Sequence, residues 1–409
     1  MIRFFFADSQ DLVDPSFDFE TEQRSETRIR QQDDLYAHEI FPDPPYDGML
    51  ISRAIVEGKG GESGRYTLAQ KQRLLRQGAR SFLRLQDRSL EIMGDCGAFS
   101  YINEKEPPVT VDEVIDFYEA CEFDLGVSVD HVILAWQPEV EPSLPVMDST
   151  PEDWQYRQEI TLEKADEFLK RCKKRKCRFT PVGVAQGWSP KSYSHSVKEL
   201  QKMGYRRIGL GGLVPLNSDD LLVCVEAVSQ VRHSETGFHL FGVTRPELIP
   251  NFIRFGVTSF DSTSPLKHAF KHDRQNYFTL ERTYSAIRVP QVEGNQKLQK
   301  RITSGEVSQS EARELEKESL TRLKEYDNDQ GDIETLLKTL REYAILNADK
   351  KDRTCVYREV LEDRPWKQVP CAICEALGIH VVLFRGAERN RRRGFHNLYV
   401  TNQLLHQQR

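Results

Sequence analysis

The sequence predicts a (β/α)₈ TIM barrel, and two observations lead to that fold class. Eight short runs rich in β-branched and aromatic residues recur along the first two thirds of the chain. Segments with helical periodicity separate these runs, and eight strands alternating with helices are typical of a closed parallel barrel. The predicted strands are Ile2–Ala7, Met49–Ile55, Leu90–Gly94, Leu125–Val129, Arg178–Val184, Arg207–Leu210, Phe238–Gly242 and Val257–Phe260.

The intervening helices are indicated by apolar residues spaced three and four positions apart. Pro246 stands where a first helical turn would begin, and the polar segment 8–47 is expected to form a long loop or an accessory element. The periodic apolar positions are Ala165, Phe168, Leu169 and Cys172 in one segment, and Leu221, Val225 and Val228 in another.

We expect three domains. Residues 1–295 would form the barrel, residues 296–350 a helical insertion, and residues 351–409 a zinc-binding subdomain that ends in an apolar helix. The insertion is rich in charged, helix-forming residues. Its one apolar stripe consists of Ile333, Leu336, Leu337 and Leu340.

The composition excludes several classes of protein. With 409 residues, of which 38% are apolar, the chain can bury a large core, and wholesale disorder is excluded. A net charge of −6 excludes a globally basic nucleic-acid binder, although a local basic patch remains compatible with it. The chain has no apolar run long enough to span a membrane. We interpret residues 1–6 as a first strand and not as an export signal, and therefore expect a reducing, cytoplasmic location.

Candidate functional residues lie at or just after the carboxyl ends of the predicted strands, where barrel enzymes carry their active sites. They are Asp95, Asp130, Gln186, Gly211, Gly212, Phe241 and Asp261. A pair of carboxylates suits displacement at an anomeric carbon, because one can attack while the other moves the proton of the leaving or entering base. A lone Asp after a strand is more often a helix cap, but a set at successive strand ends favours a catalytic site.

The same end of the barrel could recognise a purine-like base. Asp130, Gln186 and an exposed Gly212 amide would meet the edge of the base, and the rings of Phe99 and Phe241 would stack on its faces.

Five short motifs, in this order, resemble the tRNA-guanine transglycosylase superfamily. The first is Gly94-Asp95-Cys96-Gly97-Ala98-Phe99, similar to the family's D-S-G-G-F. The others are Val182 through Gly187, similar to G-I-V-Q-G; Gly211-Gly212-Leu213, similar to G-G-L; His239 through Val243 with Pro246-Glu247, similar to L-M-G-V-G-x-P-E; and Phe255 through Asp261, similar to G-V-D-M-F-D.

The resemblance implies an enzyme that exchanges a base without breaking the polymer. Asp261 would be the nucleophile at the sugar C1′, and Asp95 would be the general acid/base. Asp130, Gln186 and Gly212, within the Gly211-Gly212 turn, would recognise the base.

The family also carries a zinc subdomain with the pattern C-x-C-x-x-C followed by a distant H-N. Cys371, Cys374 and His396 match this pattern, so the resemblance implies a structural Zn²⁺. Val369 stands where the family has its first cysteine, and we expect Cys355 to be the fourth ligand instead. His380 is the competing histidine, and we assign it to a strand.

Two departures from the family pattern concern the substrates. Asn217 stands where family members that take a 7-aminomethyl base carry a glutamate, which favours a neutral substituent such as the nitrile of 7-cyano-7-deazaguanine. The family's P-T-R stretch is replaced by residues 264–268, which include Lys267. These features most resemble the DpdA-type branch, bacterial enzymes that place 7-deazaguanine derivatives into DNA.

An arginine run near the carboxyl end of the chain suggests contact with a polymer. We expect its guanidinium groups and Lys267 to bind phosphates, although a solvated charged turn is the simpler interpretation of such a run. The run consists of Arg385, Arg389, Arg391, Arg392 and Arg393.

The leading hypothesis is therefore exchange of guanine in DNA for a free 7-deazaguanine base. The alternatives are the same exchange on tRNA, a non-catalytic nucleic-acid-binding subunit, and a barrel glycosidase acting on small sugars. A stacked guanine must be flipped out of a duplex to react. The chain lacks a G-x-x-x-x-G-K-[S/T] phosphate loop, so an ATPase that opens the duplex would be a separate partner.

Overall fold

The computed structural model describes residues 2–58, 64–86, 89–139, 152–271, 275–349 and 351–408. All eight predicted strands are present, and they close into a parallel barrel in chain order. The strands are β1 Arg3–Ala7, β2 Gly48–Ser52, β3 Glu91–Asp95, β4 Leu125–Val127, β5 Thr180–Ala185, β6 Arg207–Leu210, β7 Gly237–Leu240 and β8 Val257–Asp261.

The barrel interior is filled by apolar side chains from its strands. Alternate residues of a barrel strand face inward, and strands β1 to β5 each contribute one or two of them. The half-buried ring of Phe241 packs against this core, which consists of Phe5, Leu50, Met93, Leu125, Val127, Val182 and Val184. At the amino ends of the strands, Arg3 and Arg207 both form ion pairs with Glu91.

The helices follow the predicted periodicity, and all seven of the periodic positions named above are buried in α5 and α7. The helices are α1 Ala37–Ile40, α2 Arg53–Glu57, α3 Leu68–Phe82, α4 Val111–Cys121, α5 Glu152–Arg175, α6 Pro190–Met203, α7 Ser218–Gln230, α8 Ile249–Arg254, α9 Ser264–His268, α10 Gln296–Thr303, α11 Gln309–Asp327, α12 Ile333–Leu346, α13 Thr354–Asp363, α14 Pro365–Gln368, α15 Ala372–Leu377 and α16 Gly386–Gln407. Short 3₁₀ helices span Ala98–Tyr101, Pro246–Leu248 and Gly378–Val382, and four two-residue strands follow the barrel: β9 Tyr277–Phe278, β10 Thr283–Tyr284, β11 Ile287–Arg288 and β12 Leu383–Phe384.

The chain divides into two compact units. The barrel unit comprises Met1–Gln10, Tyr46–Thr263 and Leu405–Arg409, and the second unit comprises Asp11–Pro45 and Ser264–Leu404. The position predicted as the end of the barrel domain, residue 295, therefore lies inside the second unit. The division into three domains stays a prediction.

The second unit contains the predicted helical insertion. Helices α10, α11 and α12 cover most of residues 296–350, and α11 packs against α12. Leu336, Leu337 and Leu340 of the predicted stripe are buried there. The strand assignment for His380 is wrong, because this residue lies in the 3₁₀ helix that precedes β12. No helix in the described part of the chain is long and apolar enough to cross a membrane.

Candidate active site

Asp95 is the last residue of β3 and is partly buried. The Gly97 amide donates a hydrogen bond to its Oδ2 at 3.1 Å. Burial is the main cause that raises the pKa of Asp95, to about 7, and repulsion from the Asp130 and Asp261 carboxylates adds to it. A carboxyl group with this pKa can both hold and release a proton near neutral pH, which is what a general acid/base requires.

Asp261 is the last residue of β8 and is buried. Its Oδ1 accepts a hydrogen bond from the Gly242 amide at 2.9 Å and lies 3.3 Å from Nε2 of His239. Gly242 has a φ of +70°, a conformation that favours glycine and turns its amide toward the carboxylate. Because Asp261 contributes to the raised pKa of Asp95, the two carboxylates at the ends of β3 and β8 interact electrostatically.

Asp130 and Gln186 are buried and hydrogen-bonded to each other. Nε2 of Gln186 donates to Oδ2 of Asp130 at 2.7 Å, and Oε1 of the same amide accepts from the backbone N–H of Ile133 at 3.2 Å. The Cys96 thiol donates to Oδ1 of Asp130 at 3.2 Å, and burial raises the pKa of this carboxyl group to about 6. The structure therefore brings together two of the residues expected to read the base edge, and each holds the other in place.

The Gly211-Gly212 turn follows β6 as expected. Gly212 is buried, however, whereas an exposed amide was predicted at this position. The φ of Gly212 is +75°, and a Cβ at this position would lie 2.3 Å from the carbonyl oxygen of Ile133. The Tyr193 hydroxyl donates to the carbonyl oxygen of Gly211 at 2.7 Å. Close packing on both sides of the turn thus explains why glycine is required here.

The two aromatic rings expected to stack on the base differ in their surroundings. Phe99 lies in the 3₁₀ helix after β3 and is 53% exposed. Phe241 follows β7, and its ring centroid lies 4.6 Å from that of His239 in an edge-to-face arrangement. Stacking of both rings on one base stays a prediction.

Three residues of the site were not predicted from the sequence: His239, Ser259 and Tyr101. His239 and Ser259 lie opposite each other in the register of β7 and β8. The Tyr101 hydroxyl donates to the carbonyl oxygen of Asp130 at 3.1 Å. The alternation of side chains along a strand could have identified the first two. His239 lies two positions before Phe241 and Ser259 two positions before Asp261, and both of those later residues face inward.

The second unit contains a candidate metal centre formed by Cys371, Cys374 and His396. Nδ1 of His396 lies 3.3 Å from each sulfur, and its Nε2 is hydrogen-bonded to the carbonyl oxygen of Phe278 at 2.7 Å. A histidine whose second nitrogen donates to a carbonyl is typical of metal ligands, since that bond fixes the tautomer and leaves the other nitrogen free to bind. The ring of Tyr277 stacks on His396 at 4.2 Å between centroids.

The cluster has three potential ligands among the described His, Cys, Asp and Glu residues, and Cys355 is not one of them. The prediction of Cys355 as the fourth ligand is therefore wrong. Cys355 is exposed in the first turn of α13. The rest of that helix, which rises about 1.5 Å per residue, separates it from Cys371. His396, and not His380, is the histidine of the cluster.

Four of the five arginines in the run are buried, and one is partly exposed. Arg385, Arg389, Arg392 and Arg393 are buried within the second unit, so the prediction that they bind phosphates is wrong. Arg391 is partly exposed and lies 3.7 Å from Glu388. The alternative of a solvated turn is also wrong, because Arg389, Arg391, Arg392 and Arg393 lie in α16, and Arg385, which directly precedes this helix, is buried.

The buried arginines are held by carboxylates and carbonyl groups of the second unit. Glu22 pairs with Arg385 and Arg389, and Glu316 pairs with Arg385. Burial opposes the ionisation of Glu22, yet hydrogen bonds from Arg385 and Gln291 lower its pKa to about 2.

Arg393 has no carboxylate partner among the described residues. Its guanidinium donates to the carbonyl oxygens of Leu383 and Ala269, and burial lowers its pKa to about 9. The buried arginines of the run are therefore paired with groups inside the second unit. Lys267, in α9, is exposed, and phosphate binding by Lys267 stays a prediction.

Comparisons with known proteins agree with this geometry. The family model described as queuine tRNA-ribosyltransferase matches residues 65–323. The chain is 47% identical to a DNA-guanine transglycosylase of Salmonella montevideo over 98% of this chain and 95% of that protein.

Two archaeal relatives are more distant. A tRNA-guanine(15) transglycosylase of Thermococcus onnurineus is 28% identical over 59% of this chain and 38% of its own length. One from Pyrobaculum aerophilum is 26% identical over 44% of this chain and 34% of its own length. The chain therefore belongs to the tRNA-guanine transglycosylase family and is a pentosyltransferase.

Proposed function

We propose that this enzyme exchanges guanine in DNA for a free 7-deazaguanine base through a covalent Asp261–sugar intermediate. The observation that carries the chemistry is that Asp95 and Asp261 are the last residues of β3 and β8, and so lie at the same end of one closed parallel barrel. The choice of DNA is supported by the 47% identity, over nearly the whole chain, to a protein named DNA-guanine transglycosylase.

In the first half-reaction, an oxygen of the Asp261 carboxylate attacks C1′ of the deoxyribose. The C1′–N9 bond breaks, and its electron pair stays on N9 of guanine. The protonated carboxyl group of Asp95 then supplies the proton to N9, so that guanine leaves as a neutral base. A pKa of about 7 allows a substantial fraction of Asp95 to carry this proton at neutral pH.

In the second half-reaction, the Asp95 carboxylate takes the N9 proton of the incoming deazapurine. The electron pair of N9 attacks C1′, and the bond between C1′ and Asp261 breaks, which returns Asp261 to the carboxylate form. Two inversions give overall retention at the sugar carbon.

The edge of the base would be read by Asp130 and Gln186, with Phe99 and Phe241 on its faces. Asp130 retains acceptor capacity beyond its bonds to Gln186 and Cys96, since each carboxylate oxygen can accept two hydrogen bonds. Such acceptors suit the N–H groups on the pyrimidine edge of guanine. The same edge is present in 7-deazaguanine, so one pocket serves both bases.

We infer a neutral 7-substituent, with the nitrile of 7-cyano-7-deazaguanine as the leading case. By the family resemblance, Asn217 stands where members that take a cationic substituent carry a glutamate to pair with it. Its side chain caps α7, accepting from the Asp220 amide at 2.9 Å. Asn217 offers no charge to such a cation.

Zn²⁺ is the ion we propose for the Cys371–Cys374–His396 cluster. Two sulfurs and one imidazole nitrogen are ligands that zinc prefers. When bound, the ion would supply structural stability through its bonds to these side chains. The three residues lie in loops and helices of the second unit, outside the set of residues to which we assign base exchange.

Duplex DNA adds a geometric requirement, because the target nucleotide must leave the base stack before C1′ can reach a barrel mouth. Flipping costs a few kcal/mol. Lys267 is exposed six positions after Asp261 in the sequence and would contact the backbone phosphate. A separate ATPase partner that opens the duplex would act at this step, and the test is whether exchange on duplex DNA needs one.

The test is a base-exchange assay with radiolabelled guanine in single-stranded DNA, duplex DNA and tRNA, each offered with 7-cyano-7-deazaguanine. We expect label release from DNA and a denaturant-resistant protein–DNA adduct when the incoming base is omitted. Asp261→Asn should form no adduct, whereas the exposed control Asp43→Asn should behave as wild type. Release from tRNA alone would reject DNA as the substrate, and an adduct with Asp261→Asn would reject the nucleophile.

A further inference from the structure

We propose that His239, held by Ser259, is a positioning residue that determines which oxygen of Asp261 attacks the sugar. This inference rests on the proposed function, because it takes Asp261 as the nucleophile. It concerns two residues on neighbouring strands, neither of which is needed for the proton transfers described above.

The three side chains form a continuous hydrogen-bonded series. Nδ1 of His239 lies 2.9 Å from Oγ of Ser259, and its Nε2 lies 3.3 Å from Oδ1 of Asp261. All three side chains are buried, with residue exposures of 3%, 4% and 8% for His239, Ser259 and Asp261. These hydrogen bonds are shielded from water, and a hydrogen bond is stronger in the protein interior than in water.

The direction of the bonds follows from the chemistry of the groups. An ionised carboxylate can only accept, so Nε2 of His239 must carry the hydrogen that it donates to Asp261. In the neutral imidazole, Nδ1 is then an acceptor and takes the hydroxyl hydrogen of Ser259. Ser259 therefore selects the tautomer of His239 that can hold the nucleophile.

The strand register explains why these groups meet. His239 and Ser259 are partners across β7 and β8, and Asp261 lies two residues beyond Ser259 on the same face of β8. The ring of His239 is also fixed by edge-to-face contacts with Phe5 at 5.8 Å and Phe241 at 4.6 Å between centroids. A ring held on both sides cannot easily turn away from the carboxylate.

Both donors to Asp261, the Gly242 amide and His239, meet the same oxygen, Oδ1. Among the hydrogen bonds of the described residues, none reaches Oδ2. We infer that Oδ2 is the oxygen that bonds to C1′. In the second half-reaction, the donors on Oδ1 stabilise the negative charge that returns to the carboxylate as it leaves the sugar.

The first test compares His239→Phe with His239→Gln. Phenylalanine keeps the ring packing but removes the donor, whereas the glutamine side-chain amide can place an N–H near the position of Nε2. For His239→Phe we expect kcat to fall on the order of 10- to 100-fold, less than the roughly 100- to 1,000-fold typical of losing a donor to a developing oxyanion, because His239 bonds to the oxygen of Asp261 that does not attack. We expect KM for the incoming base to stay within about twofold, and His239→Gln to recover most of kcat, because the donor acts on the reacting groups and not on base binding.

The second test is a double-mutant cycle with Ser259→Ala, which keeps the backbone pairing and changes a single hydroxyl group. If Ser259 acts through His239, Ser259→Ala should lower kcat in the wild-type background and have no further effect in His239→Phe. Additive effects, or equal kcat for His239→Phe and wild type, would overturn the inference. If His239→Phe fails to fold, as judged by thermal unfolding, Ser259→Ala still decides it: a kcat equal to that of wild type in this variant would reject the proposal.

Asp261→Asn distinguishes the positioning role from the proposed function. If that variant is inactive while the His239 variants retain full kcat, the positioning role fails and the proposed function stands. If Asp261→Asn forms the adduct, the proposed function itself fails.

Discussion

Ser52 and Asp95 are register partners across β2 and β3, and the serine hydroxyl is hydrogen-bonded to the carboxyl group. This bond favours the charged carboxylate. Burial and the carboxylates of Asp130 and Asp261 favour the neutral form and outweigh it, so the pKa of Asp95 is about 7. A pKa near neutrality suits a group that must donate a proton in one half-reaction and accept one in the next.

We predict that the two half-reactions depend on pH in opposite directions. Guanine release needs protonated Asp95 and should decline as pH rises through about 7, whereas incorporation of the new base needs the carboxylate and should increase. Ser52→Ala removes a bond to the charged form and should move both transitions to higher pH. Single-turnover rates from pH 5 to 9 would measure this, with Ser218→Ala in α7 as the control. Transitions that coincide with those of wild type would contradict the assigned role of Ser52.

Asp95 should also make stability depend on pH. The ordinary pKa of an aspartate side chain is 3.8, whereas that of Asp95 in the folded protein is about 7, so the folded state binds more protons between these values. Stability should therefore fall as pH rises through this window. We predict that Asp95→Asn is inactive, and that it raises Tm relative to wild type at pH 8 but not near pH 4. Asp43→Asn, at an exposed position, should show no such pH-dependent difference, and a constant difference in Tm for Asp95→Asn would contradict the prediction.

Glu22 is predicted to be one of the most sensitive positions for stability. Glu22→Gln leaves the buried guanidinium groups of Arg385 and Arg389 without their shared negative charge, and breaking such a buried pair costs about 3 kcal/mol or more. Urea unfolding would measure the loss. Glu26→Gln, at an exposed position four residues later, should change the free energy of unfolding by no more than about 0.5 kcal/mol. Similar values for the two variants would show that the Glu22 pairs contribute little.

The metal centre can be tested with two cysteine variants. We predict that Cys374→Ser loses the bound metal and has a lower Tm, because metal-binding energy contributes to folding. Cys355→Ser should keep wild-type metal content and Tm, since Cys355 is exposed and outside the cluster. Metal analysis of the purified proteins and thermal unfolding with and without a chelator would decide. Loss of metal from Cys355→Ser would show instead that Cys355 is a ligand.

Lys267 provides a test of the DNA contact. We predict that Lys267→Ala weakens DNA binding at low salt and reduces the slope of log K against log salt by about one, the effect of losing one phosphate contact. Lys338→Ala, at an exposed position in α12, is the matched control and should leave the slope unchanged. An unchanged slope in Lys267→Ala would place the backbone contact elsewhere.

The fold and the carboxylates could be predicted because their signals are local. Each barrel strand coincides with a short, mainly apolar run, and Asp95, Asp130 and Asp261 lie within three residues of a strand end. His239 could also have been identified, since it and Ser259 are polar, inward-facing residues in two buried strands.

The arginine run and Cys355 were misinterpreted because sequence spacing carries no information about distant partners. Glu22 and Arg385 form their ion pair across more than three hundred residues of sequence, so the charge run alone could not show that it is buried. Likewise, Cys355 was expected to replace the family cysteine that is missing at position 369, but α13 and α14 lie between it and Cys371.

The position of β1 in the barrel has a consequence for how the protein is made. β1 is synthesised first, and it pairs with β2 on one side and with β8 on the other, where Phe5 lies opposite Asp261. Until residues 257–261 leave the ribosome, the Phe4-Phe5-Phe6 strand has one unpaired apolar edge, which is a template for aggregation. Closure of the barrel thus requires β8 to have been synthesised, and Asp261 comes into register with the strands leading to Asp95 only at that moment.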